Sequence, residues 1–193
     1  DGRYALVIAD VSGKGIPAAL LVSTLQASMR AYLDSDFSLP QLVQKLNIVI
    51  YKTSTIDKYI TAFFAILDPV TGRLETLSAG HNPIFIIRGD NRIEKLKTGG
   101  IPLGMMGIPF PYESEKHILE SGDRMLLYTD GVTEAMNEKE EEYDDVVSLE
   151  SFLLENMPDN AYKLIDDLFE DINRFTGNTP PGDDITALYL IRK

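Results

Sequence analysis

Aspartates at the ends of apolar runs are the residues of this sequence whose types and spacing best suit metal chemistry. Asp10 and Asp130 each follow an apolar run directly, and Asp183 and Asp184 open another one. Carboxylates that are brought together repel one another unless a cation neutralises them, so these positions together predict a site for a hard divalent ion. Any one of them alone is more commonly a turn residue.

Lys14 and His81 are two further side chains that suit phosphate chemistry. Lys14 lies in the turn Ser12-Gly13-Lys14-Gly15, where a phosphate cradle ahead of a helix would place it near a substrate phosphate. A turn that simply leads into a helix is the more common explanation of this segment, and its spacing is not that of a Walker loop. His81 is a candidate general acid that protonates a leaving serine oxygen, or else a residue that braces a turn.

The amino-acid composition excludes or disfavours several other kinds of catalytic site and binding partner. The sequence has no Cys, which excludes thiol nucleophiles, thiolate metal sites and disulfides. Its 2 His are too few for a multi-histidine zinc site, so carboxylates and carbonyls remain as ligands for Mg²⁺ or Mn²⁺. With 30 acidic and 18 basic residues, the net charge of −12 disfavours nucleic acid or an anionic membrane as a partner.

The elements that must position these residues begin with a buried strand over residues 4–9. A glycine turn then leads into two amphipathic helices, predicted from Pro17 to about Leu33 and from Ser38 to about Ile56. The middle of the chain predicts three antiparallel hairpins, which pair residues 60–67 with 73–79, 84–88 with 92–96, and 113–119 with 123–129.

The C-terminal part of the chain adds helices and a last strand. We predict a solvated charged loop over 138–145, helices over 148–156 and from Asn160 onward, and a closing strand over 185–191. This pattern is typical of an α+β fold. Two antiparallel sheets packed face to face, with a helix pair on each outer side, would bury every apolar stripe; one sheet with helices on one face also fits.

The length and composition are those of one globular domain. The 193 residues are 44% hydrophobic and 25% charged, and they contain no repeat, linker, signal peptide or apolar run of membrane-spanning length. We therefore predict one cytoplasmic domain over residues 1–193. A start at Asp1-Gly2-Arg3, without Met, is typical of a piece of a longer protein.

Five short segments follow one another along nearly the whole chain in an order typical of one family. They are DVSGKGIPAA at 10–19, SAGHNP at 78–83, GIPLG at 100–104, YTDGVTEA at 128–135 and PGDDIT at 181–186. Together they resemble the SpoIIE-type bacterial serine phosphatases, which lie within the PPM, or type 2C, metal-dependent phosphatases. Five motifs in the right order are a far more specific signal than any one of them.

The resemblance implies a fold and a set of metal ligands. The fold is a four-layer α-β-β-α sandwich with two Mn²⁺ or Mg²⁺ ions at one rim of its sheets. By motif match Asp10 is the bridging carboxylate and the Val11 carbonyl is a further ligand, while Asp130, Asp183 and Asp184 supply carboxylates from the far end of the chain. A metal-bridging hydroxide would then attack phosphorus in line without a covalent enzyme intermediate, in agreement with the absence of Cys.

The resemblance also implies a substrate and a longer parent protein. The reaction is hydrolysis of phosphoserine or phosphothreonine on a protein, usually an anti-sigma-factor antagonist, under the control of an upstream sensor domain. Family members carry a G-D-[FY]-[FY]-D motif upstream of the Asp10 strand. We expect this chain to lack that motif with its first strand and first metal ligand, and its metal centre to be incomplete.

Two other functions stay open on the sequence. One is a catalytically inactive phosphatase-fold module that binds a regulator, which would need loss of a metal carboxylate, although Asp10, Asp130 and Asp183 are all present. The other is a nucleotide-binding module built on the Lys14 turn, which lacks the rest of a nucleotide fingerprint.

Overall fold

The computed structural model of the chain describes residues 2–33, 37–54 and 58–193. The chain forms two compact units, each assembled from separated parts of the sequence. Unit 1 comprises residues 1–83 and 96–118, and unit 2 comprises residues 84–95 and 119–193. The single domain predicted over residues 1–193 stays a prediction.

The helices and strands occur in separate runs along the chain, as expected of an α+β protein. They are β1 (Tyr4–Val11), α1 (Ile16–Tyr32), α2 (Leu39–Thr53), β2 (Ile60–Leu67), β3 (Arg73–Ala79), β4 (Ile84–Ile87), β5 (Ile93–Leu96), β6 (Gly99–Gly100), β7 (Glu115–Ile118), β8 (Arg124–Tyr128), a 3₁₀ turn (Asp130–Val132), α3 (Tyr143–Val146), α4 (Leu149–Glu155), α5 (Ala161–Thr176) and β9 (Ala187–Ile191). The α+β class and the two sheets are confirmed. The predicted end of the second helix at Ile56 lies outside the described residues. Within the described ranges, no helix is both long and apolar enough to cross a membrane.

Unit 1 is built on the sheet β1-β2-β3, whose neighbouring strands run antiparallel. β3 also pairs with β7 in antiparallel fashion and with the short β6 in parallel. The apolar stripes of α1 and α2 pack on one face of this sheet, where Leu21, Leu46 and Ile50 join Phe64 and Leu77 in one buried cluster. The stripes predicted for the two helices are thus the ones that form this core.

Unit 2 is built on the second sheet, in the order β5-β4-β8-β9. Its core combines Phe85 and Leu126 from the sheet with Leu164, Leu168 and Ile172 from α5. Asn160 caps α5 as predicted, because its side chain accepts hydrogen bonds from the Tyr162 and Lys163 backbone N–H groups.

The third predicted hairpin is wrong. β7 pairs with β3 in the first sheet, whereas β8 pairs with β4 and β9 in the second. Residues 125–128 are all buried, as expected of a central strand that needs a partner on each side. Directly after the turn the Gly122 N–H donates to the Arg192 carbonyl at 2.7 Å, so the chain joins the β9 side at once instead of folding back on β7.

The predicted solvated loop over residues 138–145 is wrong at its C-terminal end. Tyr143 begins α3 and is fully buried, with its ring edge-on to Phe175. Its hydroxyl donates to an Asp171 carboxylate oxygen at 2.8 Å, and burial is the main cause that raises the pKa of this phenol. One aromatic residue thus anchors a segment whose neighbours are charged.

Candidate active site

The residues predicted for the site fall into two groups, one in each unit. In unit 1, Asp10 and Val11 are the last two residues of β1 and lie opposite Thr61 and Ile60 of β2. Asp10 is half-buried and points to the face of the sheet opposite the helices, because the alternation of the strand places Val11 on the helix side. A central neighbouring strand therefore fixes the backbone that carries this carboxylate.

The turn after Asp10 is fastened to the start of β2. The Ser12 N–H donates to the Tyr59 carbonyl at 3.0 Å, and the Tyr59 N–H donates to the Ser12 hydroxyl at 2.9 Å. Gly13 and Gly15 then adopt φ values of 86° and 82°, which only glycine takes without strain. The chain can therefore turn within four residues from β1 into α1.

Lys14 lies exposed in this turn, as the sequence predicted. A second lysine that sequence reasoning missed lies closer to the turn backbone. The ammonium group of Lys58 occupies the space where a Cβ atom on Gly13 would be. No local pattern marks Lys58, because only the pairing of β1 with β2 brings it to the turn.

His81 is held on the same face of the sheet as Asp10. Its Nδ1 lies 3.2 Å from the hydroxyl oxygen of Thr61, the residue that stands opposite Asp10. Its backbone N–H donates to the Ser78 hydroxyl, which in turn donates to the His81 carbonyl, both at 3.1 Å. His81 is 7% exposed, and its hydrogen bonds with Ser78 stabilise the turn between them. Its role as a proton donor stays a prediction.

In unit 2, Asp130 follows β8 and begins the 3₁₀ turn. The buried Thr129 ties this turn to the segment before β9, because its hydroxyl donates to the Asp184 carbonyl at 3.3 Å and accepts from the Thr186 N–H at 3.0 Å. Gly131 packs so closely on the Asp184 carbonyl that a side chain there would collide with it. The structure thus brings the Asp130 segment and the Asp184 segment together, as the sequence predicted.

Asp183 and Asp184 are both exposed at this place. A carboxylate oxygen of Asp183 accepts a hydrogen bond from the Asp184 N–H at 2.7 Å, which stiffens the loop before β9. The pair therefore leaves carboxylate oxygens facing solvent on a backbone that is fixed to the end of β8.

The atoms predicted to bind the metal ions are all oxygens. Carboxylates and a carbonyl are the ligands that Mg²⁺ and Mn²⁺ prefer, so the donor set fits the predicted metal in its chemistry. Across residues 2–33, 37–54 and 58–193, no three acidic or histidine side chains gather into a metal-binding cluster. The assignment of Asp10, Val11, Asp130, Asp183 and Asp184 as ligands therefore stays a prediction.

A family model, Stage II sporulation protein E (SpoIIE), matches residues 1–193. The chain belongs to the SpoIIE family. The phosphoserine phosphatase RsbU of Bacillus subtilis is 30% identical over 189 residues, which are 97% of this chain and 55% of RsbU. The chain thus spans about half the length of this SpoIIE-family relative.

Solved structures share the fold of the chain. The RsbU and RsbW domains of Rv1364c from Mycobacterium tuberculosis superpose with a TM-score of 0.77 at 24% identity, over 100% of this chain and 53% of that one. RsbX, crystallised in complex with magnesium, superposes with a TM-score of 0.71 at 16% identity, over 98% of this chain and 81% of that one. At these identities the likeness concerns the fold, and it confirms the fold expected of the SpoIIE family.

Proposed function

We propose that the chain is the phosphatase domain of a SpoIIE-family protein and hydrolyses phosphoserine or phosphothreonine on a protein substrate. The observation that carries the proposal is the family match over residues 1–193, which includes every carboxylate predicted for the site. Two features of the structure support it. β2 fastens the backbone of Asp10, and Thr129 fastens the segments of Asp130 and Asp184 to each other.

The proposed metal ligands are those predicted from the sequence, namely the carboxylates of Asp10, Asp130, Asp183 and Asp184 and the Val11 carbonyl. RsbX has been crystallised with magnesium, which supports Mg²⁺ as one of the candidate ions. Two bound Mg²⁺ or Mn²⁺ ions would supply Lewis-acid activation of water and neutralise charge on the phosphoryl group. The backbone of Asp10 is held at the end of β1, and Asp130 stands directly after Thr129 at the end of β8.

Two further residues, His81 and Lys14, are proposed to act on the substrate. With no Cys in the sequence, a thiol phosphoenzyme cannot form, which favours direct transfer of the phosphoryl group to water. His81 is proposed as the donor of the proton to the serine oxygen that leaves. Lys14, exposed at the start of the turn into α1, is proposed to attract the phosphate.

The substrate and its setting are proposed from the resemblance to SpoIIE-type phosphatases. RsbU is named a phosphoserine phosphatase, and we propose that the present protein acts on a phosphorylated anti-sigma-factor antagonist in the cytoplasm. Because the chain spans 55% of RsbU, we further propose that a sensor region of the whole protein controls the phosphatase.

The test is release of inorganic phosphate from a phosphoserine protein with Mn²⁺, with Mg²⁺ and with EDTA. We expect activity only with metal, and a loss of about 100-fold or more in kcat for Asp10→Asn and Asp130→Asn, because several kcal/mol of charge stabilisation depend on the ligands. Asp166→Asn, on the exposed face of α5, is the matched control that should keep full activity. Activity that survives EDTA, or an Asp10→Asn protein with normal kcat, would contradict the metal mechanism.

The alternative is a phosphatase-fold module that binds a regulator without catalysis. It is distinguished in the same experiment, because a protein that binds the phosphoprotein but releases no phosphate with either metal would be such a module.

A further inference from the structure

The lysine that lies against the glycine turn has no role in the function proposed so far. The Lys58 ammonium group packs directly on Gly13, where the absence of a side chain leaves room for it. Lys58 is half-buried, whereas Lys14 in the same turn is exposed. The turn thus carries one lysine that extends into solvent and one that lies on its backbone.

Lys58 combines partial burial with the lack of a counter-charge among the described residues. Lys95 and Lys163 each pair with a carboxylate, Glu150 and Asp167, at 2.7 and 2.9 Å. In the part of the chain that the structure describes, Lys58 makes neither an ion pair nor a side-chain hydrogen bond. A half-buried ammonium without a counter-charge is costly, and an anion that binds beside it recovers that cost.

The position of Lys58 is fixed by the same contacts that fix the end of β1. Tyr59, the next residue, exchanges two hydrogen bonds with Ser12, and Ile60 stands opposite Val11. Lys58 therefore enters the turn from a backbone that is tied to the strand end carrying Asp10. Its ammonium group lies against Gly13, the third residue after the carboxylate proposed to bind metal.

We propose that Lys58 binds the phosphoryl oxygens of the substrate. This inference rests on the proposed function, because it takes the Asp10 end of β1 as the place of the reaction. In a chain of net charge −12, a dianionic phosphoryl group approaching these carboxylates needs a positive charge nearby, and Lys58 supplies it from inside the turn. Lys58 binds the group before and during the reaction alike, so its loss raises KM more than it lowers kcat.

The experiment measures the binding of inorganic phosphate by calorimetry in the presence of Mg²⁺, with the whole protein. Lys58→Met keeps the length of the side chain and removes its charge, and Lys58→Arg keeps the charge. We expect Lys58→Met to weaken phosphate binding about tenfold, the effect of losing one hydrogen bond to a charged group, and Lys58→Arg to stay within about threefold of the parent. Lys52→Met, an exposed lysine on α2, is the charge-matched control that should bind normally.

The binding measurement tests the role of Lys58 without relying on enzyme turnover. If Lys58→Met binds phosphate as the parent does, at an unchanged melting temperature, Lys58 only fills the space over Gly13 and the inference is overturned. It is also overturned if the parent binds no phosphate, or if Lys14→Met weakens phosphate binding and Lys58→Met does not. If phosphate binds through Lys58 but no phosphoprotein is hydrolysed, the proposed function fails while the binding site stands.

Discussion

At the scale of single residues, Gly80 shows how the position of His81 depends on a missing side chain. Gly80 has a φ of 70°, and the ring of Pro102 lies where its Cβ would be. The two constraints are independent, because the first concerns the backbone of Gly80 and the second concerns its neighbour. A substitution here therefore disturbs the residue next to His81 in two ways.

A pair of glycine substitutions separates these two effects. Gly122 has a φ of 90° with no atom within 4 Å of its would-be Cβ, so Gly122→Ala should cost only the backbone term of about 1–2 kcal/mol in the free energy of unfolding. Gly80→Ala should cost about 1–3 kcal/mol more, because Pro102 must move. Urea unfolding of both variants measures the difference. Equal losses would show that the Pro102 contact relaxes freely.

Some of the candidate site residues could be predicted from the sequence, and others could not. Asp10, Asp130 and Asp184 could be picked out because each stands at one end of an apolar run, and in the structure Thr129 joins the segments of the last two. Lys58 could not be found in this way. Its contact with Gly13 depends on which strands pair, and no periodicity in the sequence carries that information.

At the scale of elements, the turn between β4 and β5 is joined to the start of β8 by a buried ion pair. Arg88 donates to an Asp123 carboxylate oxygen at 2.7 Å and also pairs with Glu94 at the same distance. The Gly89 and Glu120 N–H groups donate to the Asp123 carboxylate as well. Burial acts to raise the pKa of Asp123, but these hydrogen bonds together hold that pKa below its ordinary value.

This lowered pKa predicts a pH-dependent stability. Asp123→Asn should lower the free energy of unfolding by about 2 kcal/mol at pH 7, because Arg88 keeps Glu94 but loses one ionised acceptor. A carboxyl group with a lowered pKa stabilises the fold above its unfolded-state value near pH 4 and loses that effect as the pH falls through the folded-state pKa. The gap between the unfolding free energies of parent and variant should therefore narrow as the pH falls below about 4.

The control for this prediction is Asp90→Asn, in which the lost carboxylate pairs with Arg92 on the surface. Its urea midpoint should stay close to that of the parent at every pH. A gap between the parent and Asp123→Asn that does not change with pH would show that the loss comes from packing and not from the ionised carboxylate.

The elements divide into those that local patterns determine and those that they do not. The spacing of Leu21, Leu25 and Leu46 fixes which sides of α1 and α2 face the core, and both helices were predicted within a few residues at their described ends. The sequence also predicts the strands that correspond to β7 and β8. It does not say which partner each one takes, so the hairpin expected from their closeness in sequence is replaced by pairing with β3 and with β4 and β9.

At the scale of the whole molecule, the net charge of −12 bears on which phosphoproteins reach the site. A substrate with an acidic surface is repelled at long range, and salt screens this repulsion over about 10 Å at 0.1 M. We therefore expect kcat/KM for an acidic phosphopeptide to rise several-fold as the ionic strength is raised from about 10 to 150 mM. A basic phosphopeptide of equal length should show the opposite trend. Identical salt dependence for both peptides would show that long-range repulsion by the net charge does not govern capture.

The β4–β5 hairpin belongs to unit 2, although the chain on both sides of it belongs to unit 1. This order has a consequence during synthesis on the ribosome. Ile84–Ile87 is buried at every position in the finished protein, and one of its partners, β8, begins only at Arg124. At about 5–20 residues per second, the nascent chain therefore carries an uncovered apolar strand for seconds before its neighbour emerges. A chaperone that binds short apolar segments would find its target there, and ribosomes that stall between β5 and β8 would release an aggregation-prone product.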